Sequence, residues 1–351
     1  MNDKRSKVIF IDPILQRGHI VFNQIYIDAL NKENVELTFV FVKGYEKELK
    51  LYGNRLIYQI PKFFFKYNFG GFINRLLYLS VLLILKWKIN FQDYDKVIFS
   101  SFEEISFNCS GIRNVVLINH INISQLNNMI KRVSFFKVLR KNTLIVFDTL
   151  TKQHIDPNEE YMIEVIPHGI SSGDSFKGHS LSLEDLNGKF KNRRFEKVIF
   201  SPSSNSSDRA YVQKLITNLN FINYLKHNKI LLIVKGTFMS NEDEILVIDW
   251  HMTNKEYNTL FFNSDIILIA YKNTFKYRVS GVLFECFAFN KPCLVRRNNM
   301  LFPYLNYFTY NPYFDSYLGL MDSIETILNK KDAYYKNVEE LQPNFKNLIN
   351  A

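Results

Sequence analysis

Ser280-Gly281, followed at Glu285 by a lone acid, is the most chemically pointed spacing in the sequence. It lies within Phe275 to Arg297, FKYRVSGVLFECFAFNKPCLVRR, after an apolar run from Asp265 to Ala270 and before another from Cys293 to Val295. The order reads strand, loop, helix, strand, with Asn290-Lys291-Pro292 stopping the helix. A small Ser-Gly pair at a helix start lets a ligand approach the backbone, and the N–H groups and dipole there favour an anion. Glu285 falls one turn behind Gly281 on the same face. Phosphate at the tip and hydroxyls one turn deeper is an arrangement that holds a nucleotide sugar. The same pattern also fits a plain buried helix whose glutamate meets solvent.

Other polar groups stand at the ends of apolar runs. Gly18 to Asn23, GHIVFN, lies where the first strand meets its helix. Gly18 admits a substrate against the backbone, and His19 and Asn23 bond a hydroxyl or serve as loop and cap. Asn119-His-Ile-Asn122 follows another strand pattern; His120 there is placed to hydrogen-bond a polar ligand or a transition state. A lone histidine is also commonly structural. Ile166-Pro-His-Gly169 ends a strand, and Gly169 permits an unusual backbone. In Ser201 to Ser207, SPSSNSS, short hydroxyls including Ser203 and Ser204 suit a phosphate, or an N-cap at Ser207 or Asp208. Lys235-Gly236 ends a further strand and Arg278 precedes the Ser-Gly pair. Either cation neutralises a diphosphate or lies on the surface. No GxGxxG follows the first strand and no GxxxxGK[ST] occurs, which excludes the dinucleotide fingerprint and the P-loop.

The elements that must position these groups alternate. Strand patterns run over Lys7–Asp12, Val35–Val42, Leu56–Ile60, Lys96–Ser100, Asn114–Asn119, Thr143–Phe147 and Met162–Ile166, and helical patterns over Ile20–Asn31, Gly71–Ile89 and Gln125–Arg140. After a polar stretch the rhythm restarts with strand Lys197–Ser201, helix Asp208–Lys226, strands Ile230–Lys235 and Ile245–Ile248, and helix Lys255–Asn263. Tyr317 to Ala351 is helical in pattern, broken near Pro343. Such alternation predicts an α/β fold of two doubly wound, Rossmann-like domains facing each other across a cleft, with ligands at the carboxyl ends of strands. The expected division is 1–170, a linker and insertion at 171–195, 196–330, and a helical segment at 331–351 that crosses back to the first domain.

The chain of 351 residues carries a net charge of +10, which draws it to polyanions. No zinc-finger spacing, RNP-like strand or lysine block marks a nucleic-acid binder, so a phosphorylated substrate or an anionic membrane surface is preferred. Leu76 to Leu85, LLYLSVLLIL, is too short to span a bilayer, which takes roughly 20 residues. Arg75, Lys86 and Lys88 bracket it beside Trp87, and Phe63 to Tyr67 precede it. The run itself reads as a core helix, with membrane docking nearby. Cys109, Cys286 and Cys293 form no CxxC pair and read as buried thiols of a reducing compartment. The first residues lack the pattern of a secretory signal, so the expected location is cytoplasmic, peripheral on the inner face of the membrane.

Ordered along the chain, these pieces resemble a GT-B glycosyltransferase of the large retaining family 4. Gly18-His19 resembles its first-strand glycine loop, and Asn119-His120 its "HD"-type loop with Ile121 in place of the acid. Val165 to Ile170 resembles its "vIPNGvD" boundary, and Ile233 to Gly236 its "ivG.G" strand end. Ser280-Gly281, Phe284 to Ala288 and Asn290 to Pro292 resemble "G…lEAmA.GkPvi". The family pairs two acids eight positions apart; only Glu285 is present, and Tyr277 takes the other place. The resemblance implies transfer of a sugar from a nucleotide-diphosphate donor, with Glu285 on the donor ribose and the Ser280 and Gly281 amides on the diphosphate. It implies His120 at the reaction centre, and an acceptor near Gly18, His19 and Asn23. No cofactor and no metal are implied, since cations and the helix tip take a divalent ion's place. The acceptor implied is a glycan or lipid-diphosphate-linked glycan of bacterial capsule, O-antigen or exopolysaccharide synthesis. Two alternatives are a nucleotide-sugar epimerase and a non-catalytic GT-B-like subunit that binds a partner transferase.

Overall fold

The computed structural model describes residues 5–14, 19–51, 56–65, 71–120, 122–171, 195–202, 206–249, 252–271 and 277–350. They form two compact units, one of Met1–Gly169, Tyr277–Val279 and Leu341–Ala351, the other of Ile170–Lys276 and Ser280–Glu340. Most of the expected linker, 172–194, lies outside the described residues.

The first unit runs β1 (Lys7–Ile11), α1 (His19–Lys32), β2 (Glu36–Val42), β3 (Leu56–Ile60), α2 (Gly71–Lys88), β4 (Lys96–Phe99), α3 (Glu104–Ser110), β5 (Val116–Ile118), α4 (Met129–Leu139), β6 (Thr143–Val146), α5 (Thr149–Ile155) and β7 (Ile163–Val165). All ladders are parallel, in the order β3-β2-β1-β4-β5-β6-β7. β1 is an unbroken apolar run because both faces of a parallel sheet are covered. Ile9 and Ile11 join Val81, Leu82, Phe107 and Phe135 on one face. Val8 and Phe10 join Phe22, Tyr26 and Leu30 on the other. Alternate residues therefore feed opposite cores, as the strand period requires.

The second unit runs β8 (Lys197–Ser201), α6 (Ser206–Ile216), α7 (Leu219–His227), β9 (Ile230–Lys235), β10 (Ile245–Ile248), α8 (Asn254–Asn263), β11 (Ile266–Ile269), α9 (Gly281–Ala288), β12 (Cys293–Arg296), β13 (Tyr313–Phe314) and α10 (Tyr317–Leu328). Its parallel order is β10-β9-β8-β11-β12-β13. In both sheets the strand order reverses beside the first strand, at β1/β4 and β8/β11, which is the Rossmann arrangement. The last helix, α11 (Lys346–Asn350), brings Phe345, Leu348 and Ile349 onto the α1 side of the first unit.

Several boundaries differ from the sequence reading. Gln125 to Arg140 is a short 3-10 turn and then α4, because the Asn128 side chain caps the Lys131 amide. Asp208 to Lys226 is two helices, parted where Asn218 caps Phe221. The connection between β4 and β5 carries α3, and α5 follows β6; Glu103 and Asp148 cap them. Past Leu328 the tail holds a 3-10 turn and α11 in place of the extended helical pattern. The buried-thiol reading holds for Cys286 and Cys293, whereas Cys109 is exposed on α3. α2 buries Tyr78, Val81, Leu82 and Leu85 in the core, while Leu76, Leu83 and Ile84 of its apolar run are exposed.

The boundary glycine is sterically required. Gly169 sits at φ +90°, and an added Cβ would lie 2.3 Å from Ile25 Cγ2 and 3.0 Å from Pro343 Cδ. Just before it, Tyr26 donates to the carbonyls of Ile166 and Pro167 at 3.3 and 3.1 Å. Gly169→Ala is expected to cost about 1–3 kcal/mol through overpacking, with backbone strain added. Urea denaturation checks this; an unchanged midpoint contradicts it.

Candidate functional site

In the second unit the chemistry gathers at the start of α9. Ser280 is its N-cap, with Oγ accepting the Leu283 amide at 3.2 Å and meeting the Tyr271 hydroxyl at 2.8 Å. Tyr271 directly follows β11 and Ala270, so the strand's carboxyl end holds the helix tip in place. The first N–H groups of a helix have no intrahelical acceptor. Gly281 is exposed, and a Cβ there would meet nothing within 4 Å. The tip is thus an amide-lined edge with room beside it, suited to an anion.

Glu285 lies one turn on, half-buried, and its Oε2 accepts a hydrogen bond from the Tyr257 hydroxyl. Tyr257 comes from α8, which is started by a capping box between Thr253 and Glu256 and packs against β8. Burial pushes the Glu285 carboxyl up to about 7, and the Tyr257 hydrogen bond offsets part of that rise. A carboxylate poised at neutral pH suits hydroxyl donors that complete its shell on binding.

Lys235 and Gly236 end β9, which lies two strands from β11, or about 10 Å across the sheet. Lys235 is half-buried. The Phe238 ring occupies the space above Gly236, 2.3 Å from where a Cβ would stand, so this glycine accommodates its own loop. Arg278 belongs to the first unit, where its Nε donates to Ser124 Oγ at 2.8 Å. Tyr277, at φ +51°, stacks on His154 with ring centroids 3.9 Å apart. Ser203, Ser204 and Gly18 lie outside the described residues.

The first unit has its own polar centre, at the β1/β4 switch point. Asp12, directly after β1, is 2% exposed. It accepts from Ser101 Oγ at 2.9 Å, Asn23 Nδ2 at 2.7 Å and the Ile14 amide at 3.2 Å, and His19 Nδ1 stands 3.8 Å away. Asn23 also donates to the Tyr45 hydroxyl at 3.0 Å. His19 stacks on His120 at 4.4 Å, while Phe22 and Phe147 edge onto both His120 and His168. His120 Nε2 meets the Ser100 carbonyl at 2.8 Å, which fixes the proton on Nε2 and leaves Nδ1 an acceptor. Burial, reinforced by His19 and His168, pushes His120 well below the usual histidine range, and burial brings His168 down to about 4. Both are neutral imidazoles at pH 7.

Four buried polar atoms around this centre have no hydrogen-bond partner in the protein: His19 Nδ1, Asn23 Oδ1, Ser100 Oγ and Asn119 Oδ1. Such atoms are costly unless satisfied, and a set of them suits a polyhydroxyl ligand. The structure therefore brings His19, Asn23 and His120 together, and adds Asp12, Asn119, Ser100 and His168. Asp12 was missed because one acid ending a strand has no spacing partner; its place at a switch point is the signal. Tyr257 was missed because its partner is 28 residues along the chain.

Among the described residues no group of three or more His, Cys, Asp or Glu side chains is placed to hold a metal. The sequence does contain one Asp-x-Asp, Asp93-Tyr94-Asp95. It precedes β4, at the end of the sheet opposite the switch-point groups, where Asp95 accepts the Lys7 amide and Asp93 accepts from Asn90.

Comparison with known proteins places the fold. The chain superposes on Anabaena HepE in complex with UDP and glucose at 11% identity, with a TM-score of 0.59 over 98% of this chain and 95% of that one. It superposes on the UDP-GlcNAc 2-epimerase of Methanocaldococcus jannaschii at 15% identity, with a TM-score of 0.58 over 98% and 97%. An apo OtsA structure matches at 13% identity and a TM-score of 0.61 over 93% and 92%. The fold is of GT-B type. No protein-family model matches the sequence, and no curated protein matches it.

The raised Glu285 carboxyl has a pH consequence. Its folded value, about 7, lies above its ordinary 4.5, so the folded state holds more protons between those values. Stability is favoured below about 4.5 and lost as pH rises through 7. Glu285→Gln is expected to remove that loss, at most about 3 kcal/mol. Unfolding free energy measured across this window checks it; parallel curves for the two proteins contradict it.

Proposed function

We propose that the chain is a glycosyltransferase, moving a sugar from a nucleotide-diphosphate donor to a glycan or lipid-diphosphate-linked acceptor. The observation that supports it most directly is the α9 tip: an open Gly281 edge above a half-buried carboxylate one turn deeper. Transfer breaks the bond between the anomeric carbon and the diphosphate, and negative charge grows on the leaving oxygens. The Gly281 edge and helix dipole stabilise that charge, with Lys235 as a neutralising cation and Ser203 and Ser204 as further hydroxyls. Glu285 accepts from the donor ribose. His120, neutral and with its proton on Nε2, is the residue that the resemblance assigns to the transferred sugar. Gly18, His19 and Asn23 hold the acceptor, joined by Asp12.

The resemblance to family 4 supports retention of configuration and metal-independent transfer in capsule, O-antigen or exopolysaccharide synthesis. The known structures of like fold that hold UDP or a UDP-sugar support a nucleotide-sugar donor. The first acid of the family pair is Tyr277 here, which leaves Glu285 as the one acid of that pair.

One observation favours a second reading, nucleotide-sugar epimerisation. The first unit gathers an acid and three histidines at its switch point, and an epimerase shares the fold. Incubation with a panel of nucleotide sugars separates the readings. Release of nucleoside diphosphate supports transfer, interconversion of the sugars supports epimerisation, and the absence of both supports a scaffold subunit. Glu285→Ala is expected to weaken donor binding about tenfold or more by calorimetry, as loss of a charge-assisted contact implies. Unchanged affinity in the folded variant refutes the assignment.

A further inference from the structure

Helix α2 has two apolar faces, and only one of them packs on the sheet. Tyr78, Val81, Leu82 and Leu85 are buried, whereas Phe72, Ile73, Leu76, Leu83, Ile84 and Trp87 are exposed. At about 100° per residue the exposed six fall within one stripe about 120° wide, shared only with Ser80. The stripe runs the whole 18-residue helix, about 27 Å. Trp87 at one end is 83% exposed and Phe72 at the other 72%. Both are amphipathic or aromatic end groups around an aliphatic middle.

A second helix on that side is apolar outward as well. α2 and α4 cover the same side of the sheet, and α3 packs against both. α4 turns Met129, Ile130 and Val133 outward, at 79%, 67% and 45% exposure. Phe63, just before α2, is exposed as well. A monomeric protein rarely leaves so many large apolar groups on one side of a sheet in water without a partner.

Charge selects the partner. Neither α2 nor α4 contains an acid. Of the two acids that open α3, Glu103 is bound to Arg75, and Glu104 is buried against Asn122 and Lys131. The exposed charges flanking the stripe are Lys86, Lys88, Arg132, Lys137 and Arg140. An apolar stripe with an indole at its end, on helices whose exposed charges are all cations, matches an anionic bilayer surface, where the apolar groups enter the headgroup region and the cations meet phosphates. No described helix is long and apolar enough to cross a membrane, so the mode is peripheral.

We propose that the outward faces of α2 and α4 form a docking surface for an anionic phospholipid bilayer. The surface stands independently of the donor site: it involves no residue assigned there, and its assay reads no sugar turnover. The full-length protein is mixed with phosphatidylglycerol–phosphatidylcholine vesicles, or with phosphatidylcholine alone, and sedimented. The expected result is binding to the anionic vesicles that weakens with salt, together with a blue shift of emission that is absent in Trp87→Phe. The exposed double variant Leu83→Asp/Trp87→Asp is expected to lose binding about tenfold or more, and the triple variant Lys88→Glu/Arg132→Glu/Lys137→Glu likewise, each with an unchanged circular dichroism spectrum. Any of three results overturns the proposal: no binding by the parent protein, equal binding by parent and variants, or a concentration-dependent dimer without lipid that Leu83→Asp/Trp87→Asp dissolves. The last would assign the face to a second copy of the chain.

Discussion

The hydrogen bond from Tyr257 to Glu285 is the contact around which the second unit's site is arranged. A carboxylate inside an otherwise apolar helix is expensive without a donor, and losing that donor leaves a polar group unpaired at about 1–3 kcal/mol. Tyr257 supplies the donor from α8, and Tyr271 fixes the Ser280 cap from the end of β11. Two phenols thus pin the first turn of α9 from two elements. That fixes the direction in which its unbonded amides point and the depth at which the carboxylate lies. The remaining valence of Glu285, and its place close to neutrality, follow from the same burial that made the tyrosine necessary.

The first unit solves a similar problem differently. Asp12 is almost fully buried and spends its oxygens on Ser101, Asn23 and the Ile14 amide. His120 and His168 stay neutral because burial disfavours their charged forms, reinforced by the neighbouring histidines. Neutral imidazoles donate and accept at once, and that is what recognition of sugar hydroxyls requires. Both centres stand at strand carboxyl ends beside the switch points of their sheets, where the fold leaves space for a ligand.

Sequence patterning showed the strands well, because each central parallel strand is apolar on both faces and reads as a continuous run. It blurred helices wherever a cap interrupts an apolar period, as Asn128 and Asn218 do. It passed over α3 and α5, whose seven residues make barely two turns. The α9 tip was legible because Ser-Gly and Glu285 lie close in sequence. Asp12 with Ser101, and Tyr257 with Glu285, were not, since only the fold brings them together. The apolar run of α2 hid its duality for a related reason: hydrophobicity alone does not say which face meets the sheet.

The most direct measurement of the central claim is a crystal structure of the protein soaked with uridine diphosphate and other nucleoside diphosphates. The account predicts phosphate oxygens within hydrogen-bond distance of the Gly281 amide and a ribose hydroxyl on Glu285, with the Tyr257 hydroxyl still in place. A diphosphate bound elsewhere, with α9 and Glu285 untouched, would contradict it.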